Sequence, residues 1–181
     1  MEGDSVMEMW EVLDKDGKST GEIMKKNDQT FFDRGLCHLG AEVWIINSEN
    51  KILIQKRSKQ KRISPNMWAM TGGSVILGET SKDTIVREAK EELNIDIDAN
   101  ELHLITRFKI GSLWVDTYLL KHDYDIEKMK FQKDEVADAK WVTSKEIDNL
   151  VKEGNFMEFR WEIVGEFINK ETTYLQTCRV N

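Results

Sequence analysis

The chain has 181 residues, 40% of them hydrophobic and 33% charged, with a formal net charge of -7. That length and apolar content suit one globular domain with a real core, and the acidic balance argues against an overall basic field drawing the protein to nucleic acid or an anionic membrane. Two cysteines, Cys37 and Cys178, far apart and outside any CxxC pair, argue against a disulfide framework or a zinc site and suit a reducing compartment.

The opening residues, MEGDSVMEMWEV, carry acids where a signal peptide has a basic region and an apolar run. No stretch approaches the roughly 18 uncharged apolar residues of a membrane span, so a cytoplasmic protein is expected. EMWEVLD (8–14) reads as an edge strand ending in the turn DKDGK, and the polar stretch 19–34 suggests no element. Residues 1–34 are read as an N-terminal extension and 35–170 as the core of a single domain spanning 1–181. HLGAEVWIIN (38–47) and KILIQKR (51–57) form a hairpin around SEN. A basic connection, SKQKRISPN, leads to the apolar MWAM and the Gly72-Gly73 pair. A helix follows over 81–93, with Thr80 and Asp83 at capping-box spacing. ELHLITRFKI and LWVDTYLLKH make a second strand pair around Gly111-Ser112, and EVADAKWVT one more strand. SKEIDNLVKEG predicts a short helix capped by Ser144, with Ile147 where a capping box places an acid. MEFRWEIVGEFINK predicts another, with Phe159, Ile163, Val164 and Phe167 on one face. Strands and helices thus interleave in a mixed α/β unit. Trp44, Trp68 and Trp114, within apolar runs, are read as core residues, and Cys37 as structural.

In TGGSVILGETSKDTIVREAKEELNIDID (71–98) the helix carries three close glutamates. At about 100° per residue, Ile85, Val86, Ala89 and Leu93 share one arc, and Glu88, Glu91 and Glu92 an adjacent one. Like charges so spaced cost a few tenths of a kcal/mol per pair, which an ordinary solvated face tolerates. The alternative is neutralisation by a divalent cation, since hard Mg²⁺ or Mn²⁺ takes carboxylate oxygens together with substrate phosphates. The preceding loop favours the cation: Gly72, Gly73 and Gly78 permit close backbone approach and positive φ angles.

Together these residues resemble the box of the Nudix hydrolase superfamily: Gly73, Glu79, Arg87, Glu88, Ala89, Glu91, Glu92 and Ile95, with Asn94 replacing a glycine. Six fixed matches arise by chance about once in 10⁶ starting points. Asn is the next choice after Gly for a left-handed helix end, so a positive φ is expected at Asn94. The resemblance implies a Nudix α/β/α sandwich with a mixed β-sheet. It also implies a hydrolase cleaving a nucleoside diphosphate linked to another group, a small-molecule substrate, with homodimers common among relatives. Gly72, Glu88, Glu91 and Glu92 would serve Mg²⁺ or Mn²⁺, while Arg87 and Glu79 would pair to orient helix and loop. The catalytic acids would be Glu88 and Glu92, with the general base either Glu88 or a loop carboxylate such as Glu135. In QKRSKQKR (55–62), Arg57 and Lys61 are candidates for the substrate phosphates.

A second resemblance, carried by HLGAEVWIIN, LIQKRSKQKRISPNMW and the long N-terminal lead, is to the branch containing isopentenyl diphosphate isomerase. Gly72 and Ser74 stand where that enzyme has its catalytic cysteine and a metal-binding histidine. His38 matches another of its histidines, whose companion is here Phe31, and is read as a strand residue satisfied locally; only Asp116 is available near its paired acids. These departures favour the hydrolase over the isomerase, and the complete set of Glu88, Glu91 and Glu92 favours it over a non-catalytic ligand-binding module, which has no need for three crowded acids.

Overall fold

The computed structural model describes residues 8–26, 28 and 34–177; Phe31, Cys178 and the side chain of Phe159 lie outside the described residues. Strand β1 (Met9–Leu13) pairs antiparallel with β2 (Ser19–Lys25). The second strand falls in the polar stretch where none was expected. All its residues but Met24 are exposed, so it offers no apolar period to read.

Seven more strands form one mixed sheet: β3 (His38–Ile46), β4 (Ile52–Arg57), β5 (Trp68–Ala69), β6 (Thr71–Ser74), β7 (His103–Ile110), β8 (Leu113–Lys121) and β9 (Val136–Val142). β3 is the hub. It runs parallel to β8 along its whole length, antiparallel to β6 over Gly40–Val43, and antiparallel to β4 only at Ile45 and Ile46. β4 continues the sheet to β5 and β9. The expected hairpin between β3 and β4 forms, closed by Asn50 at φ 60°.

The alternation of β3 builds the layers. Ala41, Val43 and Ile45 pack with Ile85, Ala89 and Leu93 of helix α1 (Ser81–Leu93). Trp44 and Ile46 pack with Ile147 of α2 (Ser144–Lys152) and with Trp161, Val164 and Ile168 of α3 (Glu158–Thr177). Each such fully buried aliphatic side chain contributes about 1.5–3 kcal/mol. The result is the α/β/α sandwich with a mixed sheet.

Helix α1 has the boundaries its caps predict. Thr80 and Asp83 form the capping box, and Asn94 adopts φ 56°, ψ 37°, donating its N–H to the Ala89 and Lys90 carbonyls. Two expectations for the later helices are corrected. Thr143, not Ser144, caps α2: its N–H donates to Glu146 Oε2 at 2.7 Å, and its Oγ1 accepts from the Glu146 N–H at 3.3 Å. The frame moves by one residue, which frees Ile147 for the core, where it is fully buried. In α3 the buried line is Trp161, Val164 and Ile168, whereas Phe167 is 45% exposed. The Trp161 indole sets this rotation, lying 5.5 Å from the Trp44 ring and donating to Asp148 Oδ1 at 2.7 Å.

The β1–β2 hairpin is fastened to the sheet by reciprocal backbone bonds between Leu13 and Cys37. Beside them, Trp10 stacks on His38 with ring centroids 4.0 Å apart and planes 7° from parallel. Burial there pushes the His38 pKa down from 6.5 to about 4. As pH falls through that window the unfolded chain takes up a proton that folded His38 refuses, so stability present above pH 6.5 is lost toward pH 4. His38→Gln should remove this term. Its stability relative to wild type, from urea unfolding at neutral pH and near pH 4, should improve by on the order of 2–3 kcal/mol on acidification; a pH-independent difference would contradict this account.

Candidate active site

The register between β3 and β6 sets Gly72 opposite Glu42 and Gly73 opposite Ala41. Neither glycine has a positive φ; the left-handed one in this loop is Gly78, at φ 92°. The pair is required for closeness instead. A β-carbon at Gly72 would fall 2.8 Å from Glu42 Cα and collide with the Ala41 carbonyl, while one at Gly73 would overlap the Glu88 carboxylate. α1 therefore lies against bare backbone, and Glu88 is laid directly upon it.

Glu79, at the end of the loop, accepts from Arg87 Nε at 2.8 Å and from Thr84 Oγ1 at 2.8 Å. Arg87 also donates to Glu88 Oε1 at 2.8 Å and Glu91 Oε2 at 3.2 Å, so one guanidinium gathers three carboxylates. The three helix glutamates differ in environment. Glu91 is exposed, Glu88 is half-buried, and Glu92 is 5% exposed. Burial raises the Glu88 carboxyl despite the opposing field of Arg87. Burial pushes Glu92 up to about 8, against the hydrogen bond from Gln55 Nε2 at 2.7 Å. The sequence suggests carboxylates aimed at a common point. Instead Glu88 and Glu91 turn onto Arg87, and Glu92 onto Gln55. As they stand, no three acidic, histidine or cysteine side chains among the described residues converge closely enough to grip an ion.

Glu135 reaches the same cleft by a separate route. Gln132 N–H donates to the Glu92 carbonyl at 3.1 Å, and Glu135 N–H to the Gln132 carbonyl at 2.9 Å, which ties the segment before β9 to the end of α1. Glu135 forms an ion pair with Lys61, and its carbonyl accepts from Ser58 N–H at 2.8 Å. Arg57 donates from Nε and a terminal nitrogen to the Ile63 carbonyl at 3.2 and 3.0 Å. Arg57, Lys61, Gly72, Gly73, Arg87, Glu88, Glu91, Glu92 and Glu135 all line one cleft of about 910 Å³; Glu79 stands behind it, on Arg87.

Sequence reasoning missed Gln55 and a buried ion pair between Glu42 and Arg160. Glu42 was detectable in principle, as an acid in phase with Trp44 and Ile46 on a buried strand. The isomerase-like positions are differently employed. Ser74 Oγ lies 3.4 Å from His38 Nε2, and Asp116 pairs with Arg107 through two carboxylate oxygens. Trp44 is in the core, Trp68 lies beneath Lys140 at 4.3 Å, Trp114 is half-buried, and Cys37 is buried. No helix among the described residues is long and apolar enough to cross a membrane.

This fold and helix are those of a known class of hydrolase. The NUDIX domain model matches residues 37–164. An uncharacterized Nudix hydrolase of Listeria monocytogenes is 33% identical over 154 residues, 84% of this chain and 90% of that one. An isopentenyl-diphosphate delta-isomerase of Gibberella zeae is 29% identical over 177 residues, 83% of this chain and 69% of its own. The crystal structure of a Deinococcus radiodurans protein matches with a TM-score of 0.68 at 24% identity, covering 82% of this chain and 91% of that one. A bifunctional NMN adenylyltransferase/ADP ribose pyrophosphatase from Francisella tularensis, solved with AMP and a manganese ion, matches with a TM-score of 0.58 at 20% identity, covering 73% and 41% respectively. The chain belongs to the Nudix family; it is a Nudix hydrolase, acting on the acid-anhydride bond of a diphosphate.

The two close approaches predict different consequences. At Gly73 a new methyl group meets a movable side chain, so Gly73→Ala should retain its fold, displace Glu88 and lower turnover at least about tenfold. At Gly72 it meets fixed backbone, so Gly72→Ala should lose about 2 kcal/mol or more of stability. Urea unfolding of both variants checks the contrast, and equal destabilisation would refute it.

Proposed function

We propose that the chain is a metal-dependent pyrophosphohydrolase that cleaves a nucleoside diphosphate linked to another group, or a related nucleotide, by attack of water on phosphorus. The observation carrying this reading is the α1 carboxylate face, with Glu88 and Glu92 sunk in the cleft beside Gly72 and Gly73. Their donor set suits a hard divalent cation: it is all oxygen, and burial disfavours the charge on both acids. Glu88, Glu91, Glu92 and the Gly72 carbonyl would hold Mg²⁺ or Mn²⁺. The manganese ion in the Francisella structure accords with that choice. When bound, the cation supplies neutralisation of the diphosphate charge and activation of water.

The protein's own groups do the rest. Arg87, fixed by Glu79, sets the orientation of Glu88 and Glu91. Glu88 or Glu135 takes the proton from the attacking water. Arg57 and Lys61 bind substrate phosphates, Lys61 on the diphosphate that is cleaved, exchanging its ion pair with Glu135 for one with the ligand, and Arg57 on a phosphate elsewhere in the substrate. The isomerase reading would need a thiol at Gly72 and an imidazole at Ser74, and this chain has neither.

The test is release of phosphate and nucleotide from nucleoside di- and triphosphates, nucleotide sugars, ADP-ribose and dinucleotides, with Mg²⁺, Mn²⁺ or EDTA. Glu91→Gln and Glu92→Gln should lower metal-dependent turnover by about two orders of magnitude or more, with melting temperatures retained. Undiminished turnover in both variants would overturn the assignment.

A further inference from the structure

The buried pair between Glu42 and Arg160 has no part in the chemistry described above. Glu42 is 1% exposed at the middle of β3. Its Oε1 accepts from Trp44 Nε1 and from Thr117 Oγ1, each at 3.1 Å, and its Oε2 from Arg160. Well-packed apolar residues in place of a buried ion pair are commonly as stable or more so, so stability alone gives little reason for an acid here. What the pair does achieve is to fix an arginine at the cleft wall.

Arg160 is held from its backbone as well. The segment leading into α3 is stitched to β5: Trp68 N–H donates to the Asn155 carbonyl at 2.8 Å and Met157 N–H to the Trp68 carbonyl at 3.1 Å, with Phe156 fully buried between them. Arg160 then lines the cleft with Met157, Met70 and Arg57. Arg57 has its own anchor, the Ile63 carbonyl. Burial lowers its pKa, and the repulsive field of Arg160 lowers it further, against the pull of Glu92 and Glu135. Two guanidinium groups thus line one cleft, each fixed by its own anchor, and an oxyanion entering that cleft is a ligand both could meet with directed hydrogen bonds. Glu42 shares the sheet face of Trp44 and Ile46, toward the C-terminal helices, while α1 packs on the opposite face.

We propose that Arg160, clamped to Glu42, and Arg57 form an oxyanion-binding pair that receives a phosphate or carboxylate carried by the substrate in addition to the diphosphate that is cleaved. This rests on the hydrolase reading and narrows its substrate class to molecules with a second anionic group.

The experiment is titration of the metal-free, ¹⁵N-labelled full chain with sodium phosphate and, separately, sodium acetate, following the arginine Nε–H resonances, with Arg57 and Arg160 assigned from Arg57→Lys and Arg160→Lys. Both resonances should move saturably with at least one anion, phosphate or acetate indicating which group the pair accepts. Arg160→Lys, which retains a cation for Glu42 but not the planar fork, should weaken that binding about fivefold or more, with its melting temperature retained. Arg57→Lys leaves the buried pair untouched and should weaken it likewise, so the outcome stands even if Arg160→Lys misfolds. Absence of saturable shifts with either anion, or wild-type affinity in the folded variants, would overturn the proposal. Because neither metal nor turnover enters the titration, its failure leaves the hydrolase reading intact, and an inactive substrate panel leaves the anion pair intact.

Discussion

Strands β3 and β6 lie so close at Gly72 that a single β-carbon would strike the Ala41 carbonyl, and α1 lies so close at Gly73 that the Glu88 carboxylate fills the space of a methyl group. The cleft depends on this contact. It sets the depth of Glu88, and through the helix it sets the depth of Glu92, one turn further on. Rotation of α1 by one residue, about 100°, would present Ala89 to the strand and drive Lys90 into the core. The capping box at Thr80, the left-handed Asn94 and the Glu79–Arg87 ion pair all fix that rotation. They act from both ends and from the side of the helix. Local chain chemistry and long-range packing therefore constrain the same degree of freedom.

The net charge of -7 hides how evenly the cleft is balanced. Arg87 serves Glu79, Glu88 and Glu91; Lys61 serves Glu135; Arg160 serves Glu42. Glu92 alone among the helix glutamates leans on a neutral group, Gln55, and it is the most deeply buried of them. A neutral donor offsets less of the desolvation of a carboxylate than a cation does, which accords with burial raising the Glu92 pKa to about 8 despite the Gln55 hydrogen bond. Three residues that look equivalent in REAKEEL are thus an exposed, a half-buried and a buried acid, with different readiness to give up solvent for a new ligand.

What the sequence disclosed follows from the range of each interaction. Runs rich in β-forming residues located β3, β4, β7, β8 and β9, and the limits of α1 were legible because Thr80, Asp83 and Asn94 act within a turn of the helix ends. The cap of α2 shifted by a residue because Thr143 and Ser144 are both competent caps and the decision lies three positions later, where Glu146 suits a box and Ile147 suits the core. β2 was invisible because it buries little. In the site, the spacing of the helix glutamates was readable, but their partners were not. Gln55 meets Glu92 across 37 positions, Lys61 meets Glu135 across 74, and Arg160 meets Glu42 across 118. No local pattern encodes such pairs; only the out-of-place acid in β3 hints that a partner must exist.

The likeness to the Gibberella isomerase brings the same constraint to bear on chemistry. The alignment of motifs puts Gly72 where the isomerase cysteine is expected, so one reading would be that a single substitution separates the two activities. Packing argues otherwise. A side chain at position 72 would meet Glu42 Cα at 2.8 Å, and Glu42 cannot yield easily, because its carboxylate is held by Trp44, Thr117 and Arg160. Making room for a thiol would require β6 to part from β3, and that movement would carry Gly73 away from Glu88. The close strand crossing that beds the hydrolase carboxylate thus removes the space an isomerase nucleophile would occupy, so the absence of the cysteine is a property of how this sheet packs as well as of which residue the sequence holds there.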